Sequence, residues 1–411
     1  MKPTKSLLCV ASILALSAPV AFSLGFRIPD QAAEPIARGN AFAATADNPS
    51  AVYYNPAGIM QSEGLHSLLS VYAISLQDHV ELAAKGRHDS FSNENLELQV
   101  APQSYYTYRK KGESLGFGLG IYAPYGFGVE YADDTPIRKL AKRGRIVYVT
   151  INPVVAWQIT DTLSVGGGPT INYGQATFTR GIISPGDEFK FKGDDIAVGF
   201  DAGVMWNPHH MHHFGLTYHS ATSVNFDGYT RVQTNPFTIP TPRGPLTIPA
   251  IDSRQDARAI FRIPQNIVLG YSFRPADDWN FEFNLDWTDW HALKTVTIQN
   301  SSGKIAVPFN WQSSFLYEFG VTKTFAHGLR LSGGYIYSEN SVPNDSFNPG
   351  IPDSNRHIFS VGVGQSLERF NWDLGYQYAH GVPRTVSQGS AADGTYTSNS
   401  HALTLSFGYN F

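Results

Sequence analysis

From residue 65 onward the chain repeats one pattern, an apolar residue at every second position with polar or small residues between. At the C-terminal end Leu403, Leu405, Phe407, Tyr409 and Phe411 alternate with Thr404, Ser406, Gly408 and Asn410. Trp279, Phe281, Phe283, Leu285 and Trp287 alternate with Asn280, Glu282, Asn284 and Asp286. Phe359, Val361 and Val363, and Trp372, Leu374, Tyr376 and Tyr378, do the same. Side chains of a strand point alternately to its two faces, so each segment predicts a strand with one apolar and one polar or small face. A soluble sandwich would pack such faces together, whereas a membrane barrel turns them to lipid and keeps the polar face inside. Trp279 and Trp287 bracket their stripe as interfacial girdles do, and Glu282 and Asp286 need water or lumenal partners. The pattern therefore favours the barrel. No later run approaches eighteen consecutive apolar residues, which excludes membrane-spanning helices.

The alternation predicts strands near 65–80, 96–110, 114–124, 144–160, 163–180, 195–206, 212–231, 258–274, 278–299, 311–325, 328–341, 355–369, 371–384 and 398–411. Fourteen is an even number, as single-chain bacterial barrels require. Short polar turns at Thr160-Asp161, Asn207-Pro208 and Ala326-His327-Gly328 alternate with longer connections near 181–194, 232–257, 342–354 and 385–397. That asymmetry suits periplasmic turns at one end and external loops at the other. The predicted fold is all-β, a fourteen-stranded antiparallel transmembrane barrel over residues 65–411.

Two N-terminal segments break the pattern. Lys2 and Lys5, the apolar run Leu7–Leu16 and the small residues Ala21 and Ser23 around Phe22 read as a cleavable export signal over residues 1–23. The run is too short for a spanning helix, and Leu8 precedes Cys9 where a lipoprotein signal needs a small residue. Residues 24–64 lack alternation and are rich in alanine and glycine up to Asn55-Pro56-Ala57-Gly58. They read either as a surface arm or as a hatch folded into the lumen, which a wide barrel needs filled.

Composition narrows the classes. Charged residues are 16% and aromatics 13% of 411, too few charges for a coiled coil and too many rings for disorder. The net charge of −4 leaves no basic footprint, so nucleic acid is not an expected partner. Cys9 is the single cysteine, which rules out a disulfide framework and a thiolate zinc site. The mean hydropathy of −0.20 looks soluble only because lipid-facing and lumen-facing residues are averaged together.

Several motifs in order resemble the FadL family of outer-membrane transporters for long-chain fatty acids and other hydrophobic compounds. They are Gly25-Phe26-Arg27, Ala37-Arg38-Gly39-Asn40-Ala41 and Ala51-Val52-Tyr53-Tyr54-Asn55-Pro56-Ala57-Gly58. Ala123-Pro124-Tyr125-Gly126-Phe127-Gly128-Val129-Glu130-Tyr131, Ile151-Asn152-Pro153 and Asp286-Trp287-Thr288-Asp289-Trp290 follow. Ser341-Val342-Pro343 and Ile351-Pro352-Asp353-Ser354-Asn355-Arg356 complete the series. The resemblance implies a fourteen-stranded barrel with an N-terminal hatch in a Gram-negative outer membrane, acting as a monomer without cofactor. It implies capture of apolar cargo among external loops, transfer to an interior pocket and lateral exit at an inward kink of the third strand. Pro124-Tyr125-Gly126 match that kink, and proline and glycine independently suit a broken ladder, although a plain strand end at Pro124 is the alternative.

By the same resemblance a carboxylate would be held by basic residues inside the barrel. Arg180 falls where one arginine is expected, while the partner lysine's place falls near Val307 with only Lys304 nearby. Long-chain fatty acids are the first expected cargo, and neutral aromatic or alkyl hydrocarbons the alternative. An outer-membrane lipase-type enzyme is a third class, for which His219-Ser220 and His401 would be the pieces. His209-His210-Met211-His212-His213 reads as a polar turn rather than a metal site. Lys139, Lys142, Arg143 and Arg145 are candidates for lipopolysaccharide phosphates or simply a solvated loop.

Overall fold

Alternating side chains become a closed hydrogen-bonded ladder. In the computed structural model, which describes residues 25–83, 89–93, 98–242 and 244–411, fourteen antiparallel strands form one barrel. They are β1 (Gly64–Leu82), β2 (Gln99–Arg109), β3 (Leu115–Glu130), β4 (Arg143–Thr160), β5 (Leu163–Arg180) and β6 (Glu188–His209). Four strands come in two pieces: β7 (His212–His219, Thr222–Thr234), β8 (Ile251–Ile263, Asn266–Ala276), β9 (Trp279–Thr288, Thr295–Asn300) and β10 (Gly303–Pro308, Ser314–Thr324). β11 (Leu329–Ser338), β12 (Arg356–Ser366), β13 (Phe370–Gly381) and β14 (Gly394–Asn410) complete the wall. β14 pairs with β1 from His66↔Asn410 to Leu82↔Gly394, so the last strand closes the sheet on the first. The segment read as an export signal lies outside the described residues.

Several strands run further than the pattern predicts. β6 begins at Glu188 rather than near 195, β8 at Ile251 rather than near 258, and β10 at Gly303 rather than near 311. Asn207 and Pro208 lie within β6, and the turn falls at His210 and Met211. The extensions escaped the reading because their outer face meets water and carries residues such as Asp252, Arg254, Asp256 and Arg258, which look like loop.

The breaks in β3, β7, β8 and β10 do something that a straight strand cannot. Below the break of β8, Ile267, Leu269 and Tyr271 face outward and are exposed; above it Ala257, Ala259, Phe261 and Ile263 are buried inside. All are odd-numbered, so the break between Ile263 and Asn266 reverses which face carries the apolar stripe. β3 reverses likewise, from exposed Phe117 and Leu119 to buried Tyr125, Phe127 and Val129. β7 turns from Leu216 outside to Val224 and Phe226 inside. Each reversal gives a wall that is apolar outward in the membrane and apolar inward above it.

Residues 25–61 fold inside this wall as α1 (Ala33–Ala37), α2 (Ala51–Tyr54) and a 3-10 turn, Pro56–Gln61. Helices this short do not hold themselves, so tertiary bonds must. Arg27 donates to Asp286 at 2.7 Å and to Thr288 at 2.9 Å. Glu282 accepts from the Ala44 N–H at 2.8 Å and from the Thr45 hydroxyl, with Arg38 at 3.5 Å. The lumenal carboxylates of β9 thus find their partners in the hatch. Arg330 of β11 adds Glu34 at 3.6 Å and Asp373 at 2.7 Å.

Candidate functional site

Reversal of the apolar stripe makes the outer half of the lumen a hydrophobic chamber. At its mouth a cavity of about 370 Å³ is lined by Phe178, Phe189, Phe261, Ile305, Val307 and Phe309, among others. That size lies within the roughly 300–1,000 Å³ usual for small-molecule sites. From the cavity a chain of rings descends toward the hatch. Phe309 meets Phe261 at 6.0 Å and Trp311 at 5.6 Å, and Trp311 meets Trp290 at 4.9 Å. Phe26 is the hub, with Phe261 at 5.3 Å, Trp290 at 4.8 Å, Trp311 at 5.8 Å and Tyr125 at 5.9 Å. Gly25 permits this packing: its φ is +64°, and a Cβ there would lie 2.2 Å from the Trp311 ring.

The rings end at Pro124, Tyr125 and Gly126. β3 continues through Pro124, but its register against β4 shifts between Tyr122 and Tyr125. On its other edge β3 pairs with β2 only from Ser104↔Ile121 to Arg109↔Gly116. Beyond Ile121 the partner is the hatch: Ile28 N–H donates to the Pro124 carbonyl at 2.8 Å and Gly126 N–H donates to the Phe26 carbonyl at 2.8 Å. The hatch thereby stands where β2 would have stood, and β3 bends inward to meet it. Gln99–Gln103 of β2 are left without a ladder partner on that side. Side-chain amides bridge the space instead, Gln99 to the Gly128 carbonyl at 3.3 Å and Gln103 to the Asp30 carbonyl at 2.9 Å. Tyr122, Pro124 and Tyr125 also border a pocket of about 30 Å³ on the other side of β3, with Phe200, Ser220 and Thr222 where β6 and β7 part.

Asn55, Pro56, Ala57 and Gly58 lie at the opposite end of the hatch. The Asn55 amide donates to the Ala43 and Val204 carbonyls at 2.8 and 3.0 Å, and its oxygen accepts from Ala57 N–H at 3.2 Å. Pro56 starts the 3-10 turn, where its missing N–H costs nothing. Ser164 donates to the Ala57 carbonyl at 3.1 Å, and a Cβ on Gly58 would lie 2.2 Å from the Ala46 carbonyl oxygen. These four residues anchor the hatch to the wall and do not touch the cavity.

Arg180 and Lys304 are not brought together. Arg180 lines the cavity mouth, with its guanidinium 5.3 Å from the Phe189 ring centroid. On β10 the buried-facing positions are Ile305 and Val307, and Lys304 lies on the outer face in a separate cleft. Two of the four basic loop residues meet carboxylates. Lys142 pairs with Asp133 at 3.2 Å and Arg143 with Glu130 at 3.5 Å. Partial burial opposes charge on Asp133, but the Gly186 N–H, Lys142 and Arg138 hold its carboxyl below the usual range. In the hatch, burial pushes the Asp30 carboxyl up to about 6 against the pull of the Asn40 and Gln377 amides.

The pieces of a hydrolase do not converge. His219 stacks on Tyr53 at 5.1 Å, the Ser220 hydroxyl accepts from Phe200 N–H, and His401 is exposed on β14 beside Tyr376. The residues that sequence reasoning missed are the ring column, Phe26, Phe261, Trp290, Phe309 and Trp311. Phe26 and Trp290 stood within quoted motifs, but no local signal joins positions more than 250 residues apart.

Residues 14–411 match the family described as outer membrane protein transport protein (OMPP1/FadL/TodX). The chain is 23% identical to the long-chain fatty acid transport protein of Escherichia coli O6:H1, over 99% of this chain and 98% of that one. It is 21% identical to outer membrane protein P1 of Haemophilus influenzae, over 100% and 99%. Among solved structures, a FadL homologue of Pseudomonas aeruginosa superposes with a TM-score of 0.79 at 19% identity, over 94% of this chain and 100% of that one. The toluene transporter TodX of Pseudomonas putida superposes with a TM-score of 0.74 at 15% identity, over 94% and 100%. At these identities the structures show a shared fold.

Proposed function

The chain belongs to the OMPP1/FadL/TodX family of outer-membrane transport proteins, which are not enzymes, and from that premise we propose a route and a cargo for it. Hydrophobic compounds enter the cavity beside Arg180, pass along the rings to Tyr125, and leave sideways between β2 and β3 into the membrane. The observation that carries this reading is the replacement of β2 by the hatch at Pro124–Gly126. A ladder closed by another strand is permanent, whereas one closed by two backbone bonds and the Gln31 amide of a plug opens when the plug shifts.

A dry route is what the cargo needs. Moving an alkyl chain through water costs about 0.8 kcal/mol per methylene, so a water-filled pore would be a barrier. Rings in contact from cavity to kink replace that water with apolar surface. Long-chain fatty acids are the cargo of the first reading, with Arg180 holding the carboxylate at a place where low dielectric strengthens the bond. A second reading, neutral aromatic or alkyl hydrocarbons, is favoured by one observation: the second cation that would complete a carboxylate grip, Lys304, faces away from the cavity. Outer-membrane insertion follows export by a signal over residues 1–23, and the protein acts as a monomer.

Competition binding separates the two readings. A long-chain fatty acid, an alkane and an alkylbenzene are offered together to detergent-purified protein, and the retained ligand is identified by native mass spectrometry. Retention of the acid supports the first reading, retention of the hydrocarbons the second, and retention of none contradicts both.

A further inference from the structure

The wall also breaks on a different side and with different chemistry. Above the membrane β8 pairs with β9 only over Ala257–Ala259, opposite Ile298–Asn300. From Ile260 to Pro264 on one strand and Trp290 to Thr297 on the other, no ladder joins them. A cleft of about 890 Å³ opens there on the outer surface, with buried Ala259 and Leu293 among its lining and buried Trp290 in the turn behind it.

The lining of the cleft is cationic. Arg258, Arg262, Lys294 and Lys304 all border it and all are exposed. Arg258 is neutralised by Asp227 at 2.7 Å. Arg262, Lys294 and Lys304 have no carboxylate within ion-pair distance among the described residues, in contrast to Lys142 and Arg143 of the neighbouring loop. Cross-strand register spreads the charges. Arg258 and Lys304 flank Gln299, two strand spacings or about 10 Å apart, and Arg262 lies four residues or about 13 Å down β8 from Arg258. Ile260 between them is 55% exposed, and Ile267 and Leu269 further down the same strand belong to the lipid-facing stripe. The cations therefore sit at the upper edge of the apolar belt, the depth of lipid headgroups.

We propose that the β8–β9 cleft binds the phosphorylated headgroup of lipid A, the glycolipid of the outer leaflet. Arg262, Lys294 and Lys304 hold phosphate oxygens, and Ile260 lies against the start of the acyl region. Spread cations flanking an exposed isoleucine suit an anion that carries more than one phosphate and continues into hydrocarbon, rather than a compact free ion. The assignment does not depend on which cargo the lumen carries.

Native mass spectrometry of delipidated protein in detergent tests it, with bisphosphorylated lipid A, its dephosphorylated form and inorganic phosphate as probes. Bisphosphorylated lipid A is expected to bind about tenfold better than the dephosphorylated form, and the variant Arg262→Gln/Lys294→Gln/Lys304→Gln to lose most of that preference. Lys110→Gln, in the short turn between β2 and β3 at the other end of the barrel, is expected to leave it unchanged. Equal binding of the two lipids, full binding by the triple variant, equal loss in Lys110→Gln, or ready displacement by millimolar inorganic phosphate would each overturn the proposal. Should the triple variant fail to insert, Lys304→Gln alone is read, with a loss of about threefold expected and no loss contradicting the site.

Discussion

The barrel departs from its ladder between β2 and β3 and again between β8 and β9, and the two gaps are built differently. At β2–β3 the vacated positions are taken by backbone of Phe26–Ile28 and by the amides of Gln99 and Gln103, with no ionised side chain making those bonds. At β8–β9 the vacated positions stay open to the outside, and around them stand three cations with no carboxylate partner among the described residues. Behind the first gap lies the end of the ring column; behind the second lies Trp290 packed on Phe26 and Trp311. A gap in a membrane wall is thus not a function in itself. What fills it and what charge borders it decide whether apolar cargo or a charged headgroup is at home there.

The largest way to break this comparison is to straighten the first gap. Pro124→Val with Gly126→Val restores strand-forming residues and should cut uptake of labelled cargo by at least about tenfold in protein that inserts normally. Arg262→Gln with Lys304→Gln at the second gap should leave uptake unchanged. Next comes the bolt opposite the kink. Asp286→Ala leaves Arg27 buried without its counter-ion, which costs about 3–5 kcal/mol and should raise amide exchange across residues 25–61 while the strands stay protected. Arg180→Ala removes one charge-assisted contact and should weaken fatty-acid binding by about tenfold with hydrocarbons unaffected; equal loss for both would show that Arg180 shapes the cavity rather than gripping a carboxylate.

The smallest effect is a pH dependence. The Asp30 carboxyl is raised from its ordinary 3.8 to about 6 by burial, so the docked hatch takes up a proton more readily than a released one. Docking should strengthen as pH falls through the window from about 6 to about 4 and weaken as it rises again. Hatch amide exchange, corrected for its intrinsic pH dependence, should therefore slow modestly on acidification, and Asp30→Asn should remove the difference.

Much of the wall was legible because a half-buried strand writes its two faces into alternate residues. Phe281, Phe283 and Leu285 lie where their period places them, and Glu282 and Asp286 meet the lumenal partners their charge demands. The upper halves of β6, β8 and β10 were not legible. Their outer face is wet, so a stretch such as Asp252-Ser253-Arg254-Gln255-Asp256 has the composition of a loop. Reversal of the stripe was hidden too, because Phe117, Leu119, Tyr125 and Phe127 share one parity along the sequence while the bend at Pro124 turns them from lipid to lumen. Pro124 and Gly126 could suggest a broken ladder. That Phe26–Ile28 would stand in for β2 is a contact between distant parts of the chain, and no local pattern carries it. Lys304 shows the converse: one step of parity, set by the register of β10 on β9, moves a cation from lumen to outer surface.

The route itself is tested most directly by photo-crosslinking. A long-chain fatty acid and an alkylbenzene, each bearing a diazirine at the apolar end, are illuminated during uptake and the adducts mapped by mass spectrometry. Exit through the β2–β3 gap predicts adducts on Tyr125 and on the facing residues Val100–Gln103. Adducts on the hatch floor around Pro56–Gln61 and on the short turns at Asp161–Thr162, with none at Tyr125, would instead place the cargo's path down the barrel axis and contradict a lateral exit.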